Sequence, residues 1–373
     1  MRSAKLKIPV YRPTLGHEEM QAVVTCVRSS WISSKGPYIE KFESKLARIT
    51  RRRYAVSVCN GTVALHAALL SLGVGQGDEV IVPTLTYIAP VNAIRYCGAK
   101  PVFVDSDPQT WQMDPSCVEH AVGPKTRAIL AVHLYGHPCN LEALRKIARR
   151  KGLALVEDCA EALGTTYRGE PVGCGSKLAT YSFFGNKTIT TGEGGLITTD
   201  DSDLANTLRR IRGQGLAPNR EYWHDRIGYN YRMTNICAAI GTAQISKLPR
   251  LLLAKKRLNA FYRSALHGLP LHFQELEGNS ESSYWMVSVL CKNQQQRDGL
   301  RRWLRRDGIE TRPLFQPVHL MPMYRTNLLP NLPVSERLAR VGMNLPSYPG
   351  LGRRERQYIV ASIRAFFSHP KAA

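Results

Sequence analysis

"RAILAVHLYGHPCNLEALRKIARRKGLALVED", residues 127–158, holds the pattern that decides the fold. It opens on an apolar, β-branched run over 127–136, passes through the charged, helix-like "NLEALRKIARRKG", and returns to an apolar run over 153–158. Runs that are apolar on both faces suit strands covered on both sides, so the spacing predicts strand, helix, strand. "EVIVP" at 79–83 and "PVFVD" at 101–105 are strands of the same kind, and "TVALHAALLSLG" is a further helix pattern. This alternation predicts an α/β fold with a mainly parallel sheet flanked by helices. From about residue 248 the rhythm breaks with the long charged helix pattern "LPRLLLAKKRLNAFYRSALHG". "YWMVSVL", "RDGLRRWLRRDGIE", the proline-rich "TRPLFQPVHLMPMY" and the helix pattern "RERQYIVASIRAFFS" follow. We therefore expect a large domain over 1–250 and a smaller α+β domain over 251–373, with no internal repeat and no low-complexity segment.

A chain of 373 residues that is 43% hydrophobic can bury a core of that size. No apolar run approaches a bilayer span, and the first residues lack the apolar stretch of a secretion signal. Nine cysteines are scattered without a C-x-x-C pair, and Cys97, Cys159 and Cys237 sit in apolar stretches. Buried free thiols in a reducing compartment are expected, hence a soluble cytoplasmic protein. The net charge of +22 raises the question of a polyanion partner. Yet the basic residues fall in separate helix-like segments, "RITRRRY", "RKIARRK", "RRIR" and "RRWLRR", with no interleaved aromatics and no DNA-binding motif. Solvated helix faces account for them, which argues against nucleic acid; a polyanion-binding role is the alternative.

Three stretches carry chemistry. "SVCNGTVALHAALL" (57–70) reads as strand end, turn and helix, so Gly61 and Thr62 offer free N–H groups and a hydroxyl to an anion, though many α/β turns look alike. The glycine-rich "GVGQGD" precedes a strand instead of following one, and no Walker A loop is present. "LALVEDCAEALGT" leaves Glu157 and Asp158 at the carboxyl end of an apolar strand, where open α/β sheets collect ligands; a helix N-cap is the alternative. "SFFGNKTITTGEGGLITTD" (182–200) holds Lys187 between aromatics and glycine-rich backbone, either as a solvated loop cation or as an amine for covalent chemistry. Together, Lys187, Asp158 and the Gly61–Thr62 cradle are the parts a pyridoxal 5'-phosphate (PLP) site requires. Tyr87, after a strand end in "VPTLTYIAP", could stack on the ring.

At these motifs the chain resembles the DegT/DnrJ/EryC1/StrS sugar aminotransferases, fold-type I PLP enzymes, from about Ile8 to Phe367. "NGTVALHAAL", "VPTLTYIAPVNAI", "VEDCAEALGT", "YSFFGNKTITTGEGG", "GYNYRMTNICAAIG" and "ETRPLFQPVHLMPMY" carry the match. The resemblance implies that Lys187 bonds covalently to the cofactor and that Asp158 pairs with the pyridine nitrogen. It sets Glu161 near the ring hydroxyl, where many members have Gln or His. Gly61, Thr62 and Ser182 would hold the phosphate, and Tyr87 would stack. A homodimer with shared sites is implied, Asn230 reaching the neighbour's cofactor; taken alone, Asn230 reads as a turn residue. The implied reaction moves an amino group from glutamate to a keto-sugar nucleotide. Sugar-dehydrating relatives carry His at the lysine position, so Lys187 argues against dehydration. The segments after the lysine look most like those of members that aminate C4 of a GDP-linked 4-keto-6-deoxy sugar, a dTDP- or UDP-linked sugar being the alternative. Arg212, Arg232, Arg312, His319 and Tyr324 are the candidate substrate contacts, and interdomain packing or ion pairing would suit each equally. A non-catalytic polyanion-binding protein on this scaffold is a reading of another class, in which Lys187 would have no task.

Overall fold

The computed structural model describes residues 7–325 and 330–368, so the outer ends of the two expected domains lie outside the described residues. In chain order come α1 (His17–Arg28), α2 (Pro37–Ile49), β1 (Tyr54–Val58), α3 (Gly61–Ser71), β2 (Glu79–Pro83), α4 (Ile88–Tyr96), β3 (Lys100–Val104) and α5 (Pro115–Ala121). Next are β4 (Thr126–Val132), α6 (Leu141–Lys151), β5 (Ala154–Asp158), β6 (Thr166–Tyr167), β7 (Glu170–Pro171), β8 (Leu178–Ser182), β9 (Gly195–Thr199) and α7 (Ser202–Arg212). The chain continues through α8 (Asn235–Ala265), β10 (His272–Phe273), β11 (Ser280–Glu281), β12 (Val287–Leu290) and α9 (Gln294–Arg306). It finishes with β13 (Arg312–Pro313), α10 (Pro333–Val341), β14 (Gly342–Leu345) and α11 (Arg353–Ser368).

The strands expected from the apolar runs form one seven-stranded sheet in the order β1-β9-β8-β5-β4-β2-β3. The β2–β3, β2–β4, β4–β5 and β5–β8 pairs are parallel, as the alternation with helices predicts. β9 runs antiparallel to both β8 and β1. Residues 183–194 join β8 to β9 without a helix, and a strand that returns without a crossover must pair antiparallel. That return carries Lys187. β4 stops at Val132 instead of running to Gly136, because Tyr135 (φ 59°) and Gly136 (φ 89°) turn the backbone left-handed there.

Helix α6 shows how the sequence sets one element. Asn140 caps it by accepting from Ala143 N at 3.1 Å, and Gly152 ends it at φ 64°. Leu141, Leu144, Ile147 and Ala148 form its buried stripe. One apolar cluster fills the sheet face toward α2, α6 and α8, a second fills the face toward α3, α4 and α7, and a third packs β12 and β14 against α9 and α11. A fourth, including Leu85, Trp111, Tyr135, Trp285 and Leu314, joins the seven-stranded sheet to the four-stranded sheet β10-β12-β14-β13. α8 runs unbroken through position 250, so the passage from the first sheet to the second is made inside one helix. No described helix is long and apolar enough to cross a membrane. All nine cysteines are free; Cys159 is buried, while Cys97 and Cys237 are half-buried.

Asp105, just beyond β3, locks the two parts together. Its Oδ1 accepts from Ser335 N (2.7 Å) and Ser335 Oγ (2.6 Å), and its Oδ2 accepts from Val334 N (3.0 Å). These donors open α10, whose preceding residue Leu332 supplies no side-chain cap. Asp105→Ala should therefore cost about 2–4 kcal/mol of stability by stranding buried donors at a helix N-terminus, read as a lowered denaturation midpoint.

Candidate active site

The carboxyl ends of β1, β5 and β8 meet over one stretch of sheet. Val58, Gly195 and Ser182 lie level in register across β1, β9 and β8. The N-terminus of α3 rests directly on them. A Cβ at Gly61 would come within 2.8 Å of Ser182 Cβ, and one at Gly195 would run into Asn60, so both positions require glycine for this approach. Asn60 caps α3 through Val63 N (3.0 Å), so the first turn of the helix, with the Gly61 and Thr62 N–H groups, opens beside Ser182. Such a helix start, positive in its dipole and rich in donors, suits a phosphate.

β5 delivers the acids. Successive strand residues face opposite ways, so Glu157 and Asp158 part company. Glu157 is fully buried and held by His133 Nε2 (2.9 Å), Gly173 N (2.6 Å) and Arg145 (3.6 Å), which keep its carboxyl below the usual range against the cost of burial. Asp158 faces the site with one hydrogen bond, Ala160 N to its Oδ1 at 3.0 Å, and burial pushes its carboxyl up. The turn after β5 brings Glu161, whose Oε2 accepts from Tyr135 N at 2.7 Å. Burial raises the Glu161 carboxyl to about 7, the Lys187 charge and the Tyr135 N–H pulling the other way.

Lys187 sits in this acid pair's reach. Its Nζ is 3.7 Å from Glu161 Oε1 and 4.2 Å from the centre of the Trp285 ring, a cation–π contact. Trp285 Nε1 donates to Asn186 O (2.7 Å) and the Tyr11 hydroxyl donates to Lys187 O (2.5 Å). Tyr87 stands at the start of α4, 57% exposed, tilted against Phe315 at 5.7 Å. Phe315, Tyr135 and Trp285 continue the aromatic row, at 5.4 and 6.3 Å between ring centres.

The structure thus brings Lys187, Asp158 and Glu161 together, and sets Gly61, which opens α3 next to Thr62, against Ser182. Tyr11, Tyr135 and Trp285 were not read from the sequence. Each lies in a segment far from Lys187 along the chain, and only the fold makes them neighbours. Of the expected substrate contacts, Arg212 is engaged with Glu43 (2.6 Å) and the Ser57 carbonyl (2.5 Å). His319 is 1% exposed, its Nδ1 2.7 Å from Thr84 Oγ1. Tyr324 bonds Asn92 at 2.5 Å, Arg312 is exposed beside Glu310 at 3.4 Å, and Arg232 is exposed. Asn230 is also exposed; its backbone bridges Gly213, and the next carbonyl, Tyr231 O, accepts from Cys59 N (2.8 Å) at the foot of the cradle.

The profile of the DegT/DnrJ/EryC1/StrS aminotransferase family matches residues 13–364, and the chain belongs to this family. A GDP-perosamine synthase of Escherichia coli O157:H7 is 51% identical over 361 residues, 97% of this chain and 99% of that one. A GDP-perosamine synthase of Vibrio cholerae is 42% identical over 97% of this chain and 99% of its own. Among solved structures, S. venezuelae DesV superposes with a TM-score of 0.90 at 37% identity, covering 94% of this chain and 95% of that one. The protein is a PLP-dependent sugar aminotransferase. Its own residues fit that cofactor: unpaired donors at a glycine-walled helix start suit the phosphate. A buried, under-bonded Asp158 suits a cationic ring nitrogen, whose charge would draw its pKa back down.

Glu161 gives this charge balance a measurable signature. A carboxyl whose folded pKa is raised to about 7 favours folding fully below its ordinary 4.5, and that contribution is lost as pH rises through 7. In the cofactor-free protein, Glu161→Gln should therefore gain stability relative to wild type between these pH values, by up to about 3 kcal/mol, and then hold level. Urea unfolding across pH 4.5–8 reads the difference, and a constant offset would contradict the shift.

Proposed function

We propose that this enzyme transfers the amino group of glutamate to C4 of GDP-4-keto-6-deoxymannose, giving GDP-perosamine. The observation that carries the amino-transfer chemistry is one lysine, Lys187, poised over Trp285 beside two buried carboxylates at strand ends. Two things support the sugar: full-length relatives that bear the name GDP-perosamine synthase, and the likeness of "GQGLAPNREYWHDRIGYNYRMTNICAAIG" and "ETRPLFQPVHLMPMY" to perosamine synthases.

When bound, PLP supplies the carbon that accepts the amino group and a ring that delocalises the electrons released as the substrate Cα–H bond breaks. Gly61, Thr62 and Ser182 would hold its phosphate; Asp158, whose Oδ2 has no hydrogen bond among the described residues, would pair with the ring nitrogen and favour its protonated form. Glu161 would face the ring hydroxyl, and Tyr87 would cover the ring face. Lys187 Nζ would hold the cofactor covalently at rest and would be released as a free amine by the donor amine. That amine would carry the proton from the donor Cα to the cofactor carbon that accepts the amino group, and in the second half-reaction would carry a proton from that carbon to C4 of the sugar. Glu161, titrating near neutrality, and the Trp285 face steady the charge on Lys187 as it gains and loses that proton. Arg232 and Arg312 are exposed and suit the nucleotide's phosphates. Arg212 and His319 would have to leave internal partners to serve the substrate, and Tyr324 would have to leave Asn92.

The working unit we propose is a homodimer with shared sites. Tyr222 (93% exposed) and Ile227 (86% exposed) sit with Trp223 in the segment that leads to Asn230, an apolar surface that calls for a cover. A second copy seated there would receive Asn230 at its cradle. The large PLP-binding domain over 1–250 and the small domain over 251–373 remain the units we propose. Nine free thiols support a cytoplasmic location.

Supplied with glutamate and either GDP- or dTDP-linked 4-keto-6-deoxyhexose, the enzyme should show at least about tenfold higher kcat/KM for the GDP sugar. A preference for the dTDP sugar would overturn the substrate. Lys187→Ala should leave no more than a trace of activity in a folded protein, since bond and proton shuttle vanish together. Mixing Lys187→Ala chains with inactive Asn230→Ala chains should restore activity through heterodimers holding one intact site. Confirmed subunit exchange with no recovery would refute the shared site.

A further inference from the structure

Lys255, in α8, is 1% exposed, and no carboxylate pairs with it among the described residues. Its Nζ donates to Trp285 O (3.0 Å) and Ser347 O (2.8 Å) and lies 5.3 Å from the centre of the Tyr11 ring. The two aromatics it touches are the two that grip the lysine loop. Trp285 takes Asn186 O through its indole N–H and lays its ring under Lys187 Nζ; Tyr11 takes the next carbonyl, Lys187 O. Successive carbonyls of the Asn186–Lys187 segment are therefore held by two side chains, and one buried ammonium meets the backbone carbonyl of the first and the ring of the second. Ser347 closes the frame: its N–H donates to Val10 O (2.9 Å), beside Tyr11, and its Oγ accepts from Val287 N (2.8 Å), two residues beyond Trp285.

A buried ammonium facing only carbonyls and a ring is costly to keep, and burial pulls the Lys255 pKa down to about 7. An apolar side chain of similar length would fill the space without that cost. What the ammonium adds is direction, since it fixes two carbonyls and one ring face at once. We propose that Lys255 is a positioning residue for amino transfer, reading Lys187 as above: it fixes Trp285 and Tyr11, and through them the backbone from which Lys187 works. Lys187 Nζ must reach both the cofactor and the substrate proton, so its side chain has to swing while its Cα stays fixed. Bracing the two carbonyls allows both.

The test uses the full-length holoenzyme with Lys255→Met, Lys255→Arg and Tyr11→Phe. A displacement of about 1 Å at Lys187 predicts a kcat about 10- to 100-fold lower in Lys255→Met, with KM for the sugar nucleotide within about threefold of wild type. The pH midpoint of the bound cofactor's visible absorption band, which reports the environment of the lysine nitrogen, should move by about 0.5 or more in Lys255→Met. Tyr11→Phe should move it in the same direction by less, and Lys255→Arg should restore most of kcat. An unchanged midpoint and kcat in folded Lys255→Met, even with a lowered Tm, would overturn the proposal and leave Lys255 a prop for the fold. Should Lys255→Met not fold, Tyr11→Phe and Trp285→Phe decide, and an unmoved midpoint in both overturns it. If wild type shows no visible band that Lys187→Ala removes, the reading of Lys187 itself fails and this inference falls with it.

Discussion

Two carboxylates buried within reach of one lysine are the constraint around which the molecule is arranged. Asp158 and Glu161 are both taken out of water, and the Lys187 charge, 3.7 Å from Glu161, acts on both. Within the chain, that arrangement leaves the acids under-compensated, which is why burial lifts both pKa values. A cationic ring nitrogen is what Asp158 lacks and the cradle at Gly61 is what a phosphate needs, so one ligand answers both. The buried His133–Glu157 pair behind Asp158 shows the opposite case, an acid whose partners are all supplied by the protein.

The site belongs to neither sheet alone. The seven-stranded sheet supplies Asp158, Glu161, Ser182 and Lys187 from its strand ends and connections. The segment before β12 supplies Trp285, and the one after β13 supplies Phe315, which bears on Tyr87 and Tyr135. Asp105 ties α10 to the edge of the first sheet while Lys255 ties α8 to the segments around Trp285 and Ser347. Relative movement of the two parts would be felt at Lys187 through these same bonds, so rigidity at the seam and geometry at the lysine are one property.

Local pattern carried the expectations that depend on nearby residues. Apolar runs at 79–83, 101–105 and 153–158 became β2, β3 and β5 within a residue of their expected bounds; β2 and β5 are buried on both faces, and β3 forms the half-buried edge. The run at 127–136 was read too long because nothing in its apolar character reveals that Tyr135 must turn left-handed to point its N–H at Glu161. The direction of β9 was equally hidden, being set by the missing helix in the connection before it.

Of the candidate site, Lys187, Asp158, Gly61 and Thr62 were legible from local chemistry, as an amine on glycine-rich backbone, a carboxylate leaving a buried strand and free N–H groups at a helix start, while Ser182 was implied only by the family resemblance. Arg212 and His319 were equally attractive by residue type, and the fold turned them inward to Glu43, Ser57 and Thr84. Tyr11, Trp285 and Lys255 carried no signal at all, since an aromatic or a helix lysine in an apolar stretch reads as packing or solvated charge. Sequence alone determined which groups could react, because that follows from side-chain type and local backbone. Tertiary structure decided which of them meet, because contacts between segments far apart along the chain depend on how sheets and helices pack, which no local pattern encodes.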